Sequence, residues 1–142
     1  MTNWINIKKL SSSATIPTRA NSNDAGLDLY SDESVTLLPN SSTLVNTGIA
    51  MAIPEGFAGL IWDRSGMAVK NSVHRFAGVI DSGYRGPIKV CLYNFSDTVV
   101  EVKRGHRIAQ LIIQEIPNFV VQEVDDLDST ERGDGGFGST GK

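Results

Sequence analysis

The apolar residues of this chain come in short runs, and none has the length and spacing of an ordinary amphipathic helix. Trp4–Ile7, Leu27–Tyr30, Val35–Leu38, Leu44–Ile53, Phe57–Trp62, Val79–Ile80, Ile88–Phe95, Val99–Val102, Ile108–Ile113 and Phe119–Val124 are rich in Val, Ile, Leu and aromatic residues, the side chains that suit a pleated, half-buried surface. Ile5/Ile7, Ile88/Val90/Leu92 and Val100/Val102 alternate with the period of a strand. A helical turn or two is expected only from Ser65 through Met67, Ala68 and Val69. Turn chemistry separates the runs: Leu38-Pro39-Asn40, Ile53-Pro54-Glu55-Gly56, Asp81-Ser82-Gly83, Arg85-Gly86-Pro87 and Arg104-Gly105. Many short strands at this spacing close only as two packed sheets or a barrel, so the sequence predicts an all-β domain of the sandwich or jelly-roll kind.

A chain of 142 residues is long enough to bury one sizeable core without disulfides or a structural metal. Its single Cys91 cannot form an internal bridge and points to a reduced, cytoplasmic setting, a host cell's cytoplasm if the source is viral. Within Ile88–Phe95 it is expected to be a small core hydrophobe rather than a nucleophile. Asn3, Asn6, Lys8 and Lys9 interrupt the N-terminal apolar residues, so no secretory leader is expected there. Gln110 breaks the Ile108–Ile113 run, and no stretch reaches the length of a membrane span. With 13 Lys+Arg against 16 Asp+Glu the net charge is −3, which disfavours non-specific attraction to nucleic acid or anionic membrane. Any phosphate ligand must then be held by local groups.

Composition changes after Val124, dividing the chain into a β domain over 1–124 and an arm over 125–142. The arm is almost free of aliphatic residues, and Arg132-Gly133-Asp134-Gly135-Gly136-Phe137-Gly138-Ser139-Thr140-Gly141 is rich in glycine, a composition expected to be disordered by itself. Gly136–Lys142 fits the G-x-x-x-x-G-K opening of a phosphate-binding loop, but neither the following Ser/Thr and helix nor a preceding strand accompanies it. Arg132-Gly133-Asp134 spells an adhesion tripeptide that matters only outside cells. What remains is an Arg for a charged oxygen, a Phe for stacking, and glycines that let amides approach an anion. Such a segment would order over a nucleotide.

Three further segments carry chemistry, although each alone reads as an ordinary turn or a solvent-facing strand residue. Arg64-Ser65-Gly66 follows the run Phe57–Trp62, where two amides, a hydroxyl and a guanidinium can converge on one phosphate. Asp28, between Leu27 and Leu29, faces away from the core, where a carboxylate can hold a hydrated Mg²⁺. Asp81 closes Gly78-Val79-Ile80 and can accept a proton from water, with Tyr84 offering a flat wall for a sugar. His74 and His106 have no ligand neighbours at zinc spacing and are expected at the surface.

Taken in order, these segments resemble the five motifs of the homotrimeric dUTPases. The first is Ala25-Gly26-Leu27-Asp28-Leu29-Tyr30-Ser31 and the second Arg64-Ser65-Gly66-Met67-Ala68. The third is Gly78-Val79-Ile80-Asp81-Ser82-Gly83-Tyr84-Arg85-Gly86, the fourth Gly105-His106-Arg107-Ile108-Ala109-Gln110-Leu111, and the fifth the Gly-rich arm from Arg132 to Gly141. The resemblance implies a jelly roll, three active sites shared among three subunits, and an arm that closes over a neighbour's site. It implies hydrolysis of dUTP to dUMP and pyrophosphate with Mg²⁺, limiting uracil in DNA and supplying dUMP for dTMP synthesis.

By the same resemblance Asp81 activates a water for attack on the α-phosphorus, and Asp28 orients waters of an ion held mainly by the substrate phosphates. Arg64, Ser65 and Gly66 hold the β-phosphate region, Gln110 touches the phosphates near the attacked atom, and Arg132 clamps the γ-phosphate. The backbone from Val79 and Ile80 to Lys89 reads the uracil edge, Tyr84 packs under the deoxyribose, and Phe137, with Gly138 and Ser139, closes over the base. Asp63 stands where a Pro is common, His106 where an acidic residue is usual, and Arg75 where many members have an Asn that touches uracil. A dCTP deaminase shares the fold, but it lacks such an arm and needs a Glu base that the third motif does not contain. A regulatory module that binds a protein partner through its surface is the alternative from outside enzymology.

Overall fold

The computed structural model describes residues 4–141. Met1–Asn3, the start of the leader reading, and Lys142, the last residue of the G-x-x-x-x-G-K match, lie outside them. Among the described residues eleven strands and one short helix are formed, in the order β1 (Asn6–Lys9), β2 (Leu27–Tyr30), β3 (Val35–Leu37), β4 (Ser41–Asn46), β5 (Ile49–Ala52), β6 (Phe57–Trp62), α1 (Ser65–Asn71), β7 (Val73–Phe76), β8 (Val79–Ile80), β9 (Lys89–Asn94), β10 (Val100–Val102) and β11 (Arg107–Glu115). The all-β expectation holds, including the single helix at Ser65. No helix among the described residues is long and apolar enough to cross a membrane.

Every strand pair is antiparallel, in sheets of order β2-β11-β6-β8, β4-β9-β7, β3-β10 and β1-β5. Alternate residues point into one core, where Leu29, Leu37, Val45, Ile49, Leu92 and Leu111 are almost wholly buried. Each such side chain contributes roughly 1.5–3 kcal/mol by leaving water. The run Leu44–Ile53 divides at Thr47-Gly48, where Gly48 takes φ +69° and a Cβ would overlap the Asp32 carboxylate and Ala14. Asp32 ties down the N-terminal loop by accepting the Ser11 and Ser13 hydroxyls, and the Ser11 bond holds its carboxyl below the usual carboxylate range.

Two expectations are corrected. Cys91 is not a core residue: its β9 neighbours Val90 and Leu92 point inward, so parity turns Cys91 half-exposed to the opposite face. Phe119–Val124 is not a strand either, and Val120 and Val121 are 93% and 94% exposed. The last backbone bond from this region to the sheets is Ile116 N–H to the Gly56 carbonyl at 2.7 Å. Beyond it the apolar run has no strand of its own chain beside it, and β-propensity without a partner builds no ladder. β7 forms outside the apolar runs of the sequence, from the mixed segment Val73–Phe76.

Candidate active site

Across three neighbouring strands the register places Asp28, Gln110 and Trp62 in one row, on β2, β11 and β6. Leu29, Ala109, Leu111 and Ile61 beside them are buried, so the row faces away from the core. Asp28 has its N–H held by the Thr18 carbonyl at 2.7 Å. Its carboxylate lies 3.3 Å from Arg64 Nε and 3.5 Å from Arg107 Nη1, and Arg64 Nη1 donates to the Arg107 carbonyl at 3.3 Å. Gln110 Nε2 donates to the Asp63 carbonyl at 2.8 Å. Gly26 makes room for that amide, because a Cβ there would overlap Gln110 Oε1.

Arg64 is the N-cap of α1, without a side-chain cap bond. The first bond closing the turn runs from Ala68 N–H to the Arg64 carbonyl at 3.0 Å, which leaves the first-turn amides of Ser65 and Gly66 as donors without an intrahelical acceptor. Gly66 borders open space, so nothing in this chain requires residue 66 to lack a Cβ. The end of β6 thus sets two guanidinium groups on one carboxylate, with the Gln110 amide on the same row and the Ser65 and Gly66 amides and the Ser65 hydroxyl in the turn that follows, a donor set for a polyanion.

The third segment forms a separate hollow. β8 is pinned to β6 through Gly59↔Ile80 and Leu60↔Val79, and Ile61 N–H donates to the Gly78 carbonyl at 2.8 Å. Gly78 has φ +104°, and a Cβ there would press on Ile61 at 2.9 Å. The loop to β9 is braced by Arg85 Nη1, which donates to the Ser82 and Tyr84 carbonyls at 2.6 and 2.9 Å. Tyr84 donates its hydroxyl to the Pro87 carbonyl at 3.0 Å, lying over Gly86, where a Cβ would overlap the phenol. Val79, Ile80, Tyr84 and Lys89 line the resulting cleft of about 290 Å³ with Leu44 and Ile88. Asp81, at the mouth of β8, is exposed, and its carboxylate has no hydrogen bond to another described residue.

Asp81 and the phosphate-type donors stand at opposite ends of β6, while the Tyr84 cleft reaches Ile61 and Gly78. Asp81 borders the same hollow as Phe57 and Ala58, whereas the phosphate-type donors follow Trp62. Ala58 and Trp62 are four residue steps apart along the strand, about 13 Å at the usual rise of ~3.3 Å per residue. The arm joins neither group. Arg132 Nε bonds back to the Gly135 carbonyl at 2.7 Å, and Ser139 N–H to the Gly136 carbonyl at 3.0 Å. Phe137 is fully exposed at φ +51°, followed by Gly138 at φ +92°. One chain therefore brings together Asp28, Arg64, Ser65, Gly66 and Gln110, and separately Val79, Ile80, Tyr84 and Lys89 with Asp81 nearby. It leaves Arg132, Phe137, Gly138 and Ser139 apart from both.

The model of the dUTPase family matches residues 12–141, spanning every one of these segments. The chain belongs to the dUTPase family. Among curated dUTPases, the deoxyuridine 5'-triphosphate nucleotidohydrolase of Arabidopsis thaliana is 51% identical over 138 residues, covering 97% of this chain and 83% of the relative. That of Rhodococcus erythropolis is 48% identical over 140 residues, covering 96% and 85%. A variant of the Staphylococcus bacteriophage 80alpha dUTPase, solved with dUpNHpp, superposes with a TM-score of 0.93 at 32% identity over 99% of this chain and all of the other. A phage phi11 dUTPase variant, described as revealing the coordination of a structural Mg(II) ion, has a TM-score of 0.82 at 29% identity over 87% of this chain and 98% of the other.

The structure of this dUTPase adds residues that the motif reading left without a role. Arg107 stands in the fourth motif, yet its hold on Asp28 depends on strand register, which no local pattern encodes. Trp62 lies under Arg75, whose guanidinium carbon sits 5.0 Å from the ring centroid. Arg75 is thereby placed at the Arg64 end of β6 and is not among the residues lining the Tyr84 cleft. His106 locks its own turn, its N–H donating to the Lys103 carbonyl at 2.9 Å and its Nδ1 accepting the Lys103 N–H at 3.2 Å.

Proposed function

We propose that this chain is a dUTP diphosphatase that works as a homotrimer with active sites shared between subunits. The observation that carries this reading is the division of the site along β6. A phosphate-type donor set lies at one end and the exposed Asp81 carboxylate at the other, with the base-sized cleft running alongside from Ile80 to Ile61. In this reading a nucleoside triphosphate takes the Arg64 end from one subunit and the Asp81 end from a neighbour. An exposed apolar surface supports association: Phe119, Val120 and Val121 ahead of the arm and Leu127 within it are 80–94% exposed, more than a solitary domain needs to show.

In the shared site the cleft takes deoxyuridine. The backbone from Val79 to Lys89 pairs with the uracil edge, and Tyr84, fixed by Pro87 and Gly86, closes the space beside the sugar where a ribose hydroxyl would sit. Exclusion of thymine and ribose is then steric, which discriminates strongly only because the wall is rigid. Arg64, Ser65, Gly66 and Arg107 hold the phosphates, and Gln110 donates near the α-phosphate. Asp81 takes the proton from a water whose oxygen bonds to the α-phosphorus as the bond to pyrophosphate breaks, giving dUMP. Arg132 and Phe137 of an arm then close over the γ-phosphate and the base, excluding bulk water.

No group of three or more His, Cys, Asp or Glu able to hold a metal occurs among the described residues. Asp28 alone, already shared by two arginines, fits an ion that arrives on the triphosphate rather than one resident in the protein. Bound in that way, Mg²⁺ would offset phosphate charge and polarise the phosphoryl oxygens.

The test is incubation with dUTP, dCTP and dTTP in Mg²⁺, with pyrophosphate and ammonia assayed in parallel and the assembly sized by sedimentation. Pyrophosphate from dUTP alone, by a trimer, is the expected result. Ammonia from dCTP would make the chain a deaminase, and full activity in a monomer would refute the shared site.

A further inference from the structure

One carboxylate beside the donor set has no part in the chemistry above. Asp63 Oδ1 accepts the Arg75 N–H at 2.6 Å, and Oδ2 faces His74 Nδ1 at 3.0 Å, so the side chain reaches from the end of β6 across to β7. The carbonyl of the same residue accepts Gln110 Nε2. The next residue is Arg64, and the preceding one is Trp62, under the Arg75 guanidinium. His74 is itself held, edge-on to Phe95 with ring centroids 5.4 Å apart.

The turn needs such a fastening. Arg64 is extended, at φ −87° and ψ 130°, and has no side-chain capping bond; beyond its carbonyl, which accepts Ala68 N–H, its anchors are the contacts of a partly exposed guanidinium, which hold weakly. A carboxylate bonded to a backbone N–H is a stronger and better-directed tie. The Asp63 carbonyl has a second effect. An amide NH₂ carries two donors, and with one spent on that carbonyl the other is left for a ligand, its direction set by the position of residue 63.

We propose that Asp63 is a positioning residue for the triphosphate: fastened to β7 by its carboxylate, it fixes the directions in which Arg64 and Gln110 present their donors. This rests on the dUTP reading above. Asp63 touches no substrate atom and acts only through its two neighbours in the site. It therefore governs the phosphate end of the ligand and leaves the base cleft untouched, since none of Asp63, Arg64 and Gln110 lines that cleft.

The experiment compares the full-length native chain with Asp63→Ala and Asp63→Asn, measuring dUpNHpp affinity by calorimetry with Mg²⁺, inhibition by deoxyuridine, and kcat and KM for dUTP. In Asp63→Ala, dUpNHpp affinity is expected to fall and KM to rise about tenfold, the size of one lost charge-assisted bond. Deoxyuridine inhibition stays within about twofold and kcat changes less than KM, since ground-state phosphate binding is what is lost. Asp63→Asn should recover most of the affinity, because its amide oxygen still accepts the Arg75 N–H. Asp63→Ser, whose short hydroxyl cannot span to β7, stands in with the same expectations if the alanine variant does not fold. Three results overturn the proposal: unchanged dUpNHpp affinity in Asp63→Ala, parallel loss of deoxyuridine and dUpNHpp, or an asparagine variant no better than alanine. Failure of the native chain itself to bind dUpNHpp would instead overturn the dUTP reading beneath it.

Discussion

The two ends of β6 differ in how their polar groups are satisfied. At the Trp62 end nearly every side chain is tied: Asp28 to two arginines, Gln110 to Asp63, Asp63 to β7. At the Phe57 end Asp81 is exposed and its carboxylate is bonded to nothing described, although the loop behind it is braced by Arg85 and Tyr84. The first arrangement is a preorganised binding surface, whose donors are aimed before the ligand arrives. The second is a reactive group held on a rigid loop but left open for a partner. In this chain the strand that positions both also keeps them apart.

The sharpest way to break this contrast is to disarm the open end. Asp81→Asn should lower dUTP turnover by roughly 10²–10⁴-fold, the usual worth of a general base, while dUpNHpp binding, supplied by the other end, stays near native in calorimetry. Comparable loss of binding would mean that the two ends do not divide the work. Removing the arm is the next largest change. A chain truncated after Thr130 should fold and assemble with an unchanged melting temperature, because no described hydrogen bond ties residues beyond Ile116 to the sheets. Its kcat/KM should fall by about 2–4.5 kcal/mol in transition-state terms, the sum of a charged phosphate bond and a stacked ring. Unchanged turnover would remove Arg132 and Phe137 from the mechanism.

At the braced end the effects are smaller. Gly26→Ala drives a Cβ into Gln110 Oε1 and should pull the amide off the Asp63 carbonyl, raising KM for dUTP up to about tenfold, the worth of one hydrogen bond. Steady-state kinetics would show it, with deoxyuridine inhibition unaltered. The smallest effect lies outside the site. The Asp32 carboxyl is held below its ordinary range by Ser11, so its folded form favours the charged state. Its contribution to stability is then complete above the unfolded value of about 3.9 and is lost as pH falls through the lower folded value. Native chain should therefore melt above Asp32→Ala at neutral pH, and calorimetry should find that gap closing only in acid below about pH 4.

Much of this was legible in the chain. Short β-branched runs between Gly and Pro turns announced the sheets, and the motif order announced the family. What stayed hidden depends on which strand lies beside which. That Arg107 and Arg64 share one carboxylate follows from the β2/β11/β6 register, and Arg75 over Trp62 follows from β7 ending beside β6. The inward alternation of Val90 and Leu92 already contained the outward turn of Cys91, a parity signal overridden by reading the whole run as core. Phe119–Val124 misled for a deeper reason, since strand propensity reports fitness for a sheet without saying whether the same chain provides the neighbouring strand.

Whether the two ends of β6 meet across subunits is settled most directly by complementation. Asp81→Asn chains and Arg64→Ala chains, each nearly inactive alone, would be co-refolded at equal amounts and assayed for pyrophosphate release from dUTP. In mixed trimers an intact Arg64 from the first chain can meet an intact Asp81 from the second, so random assembly of a shared site predicts recovery in about a quarter of the sites. Activity no higher than the sum of the two separate variants would place Asp81 and Arg64 in the same subunit's site and contradict the division along β6.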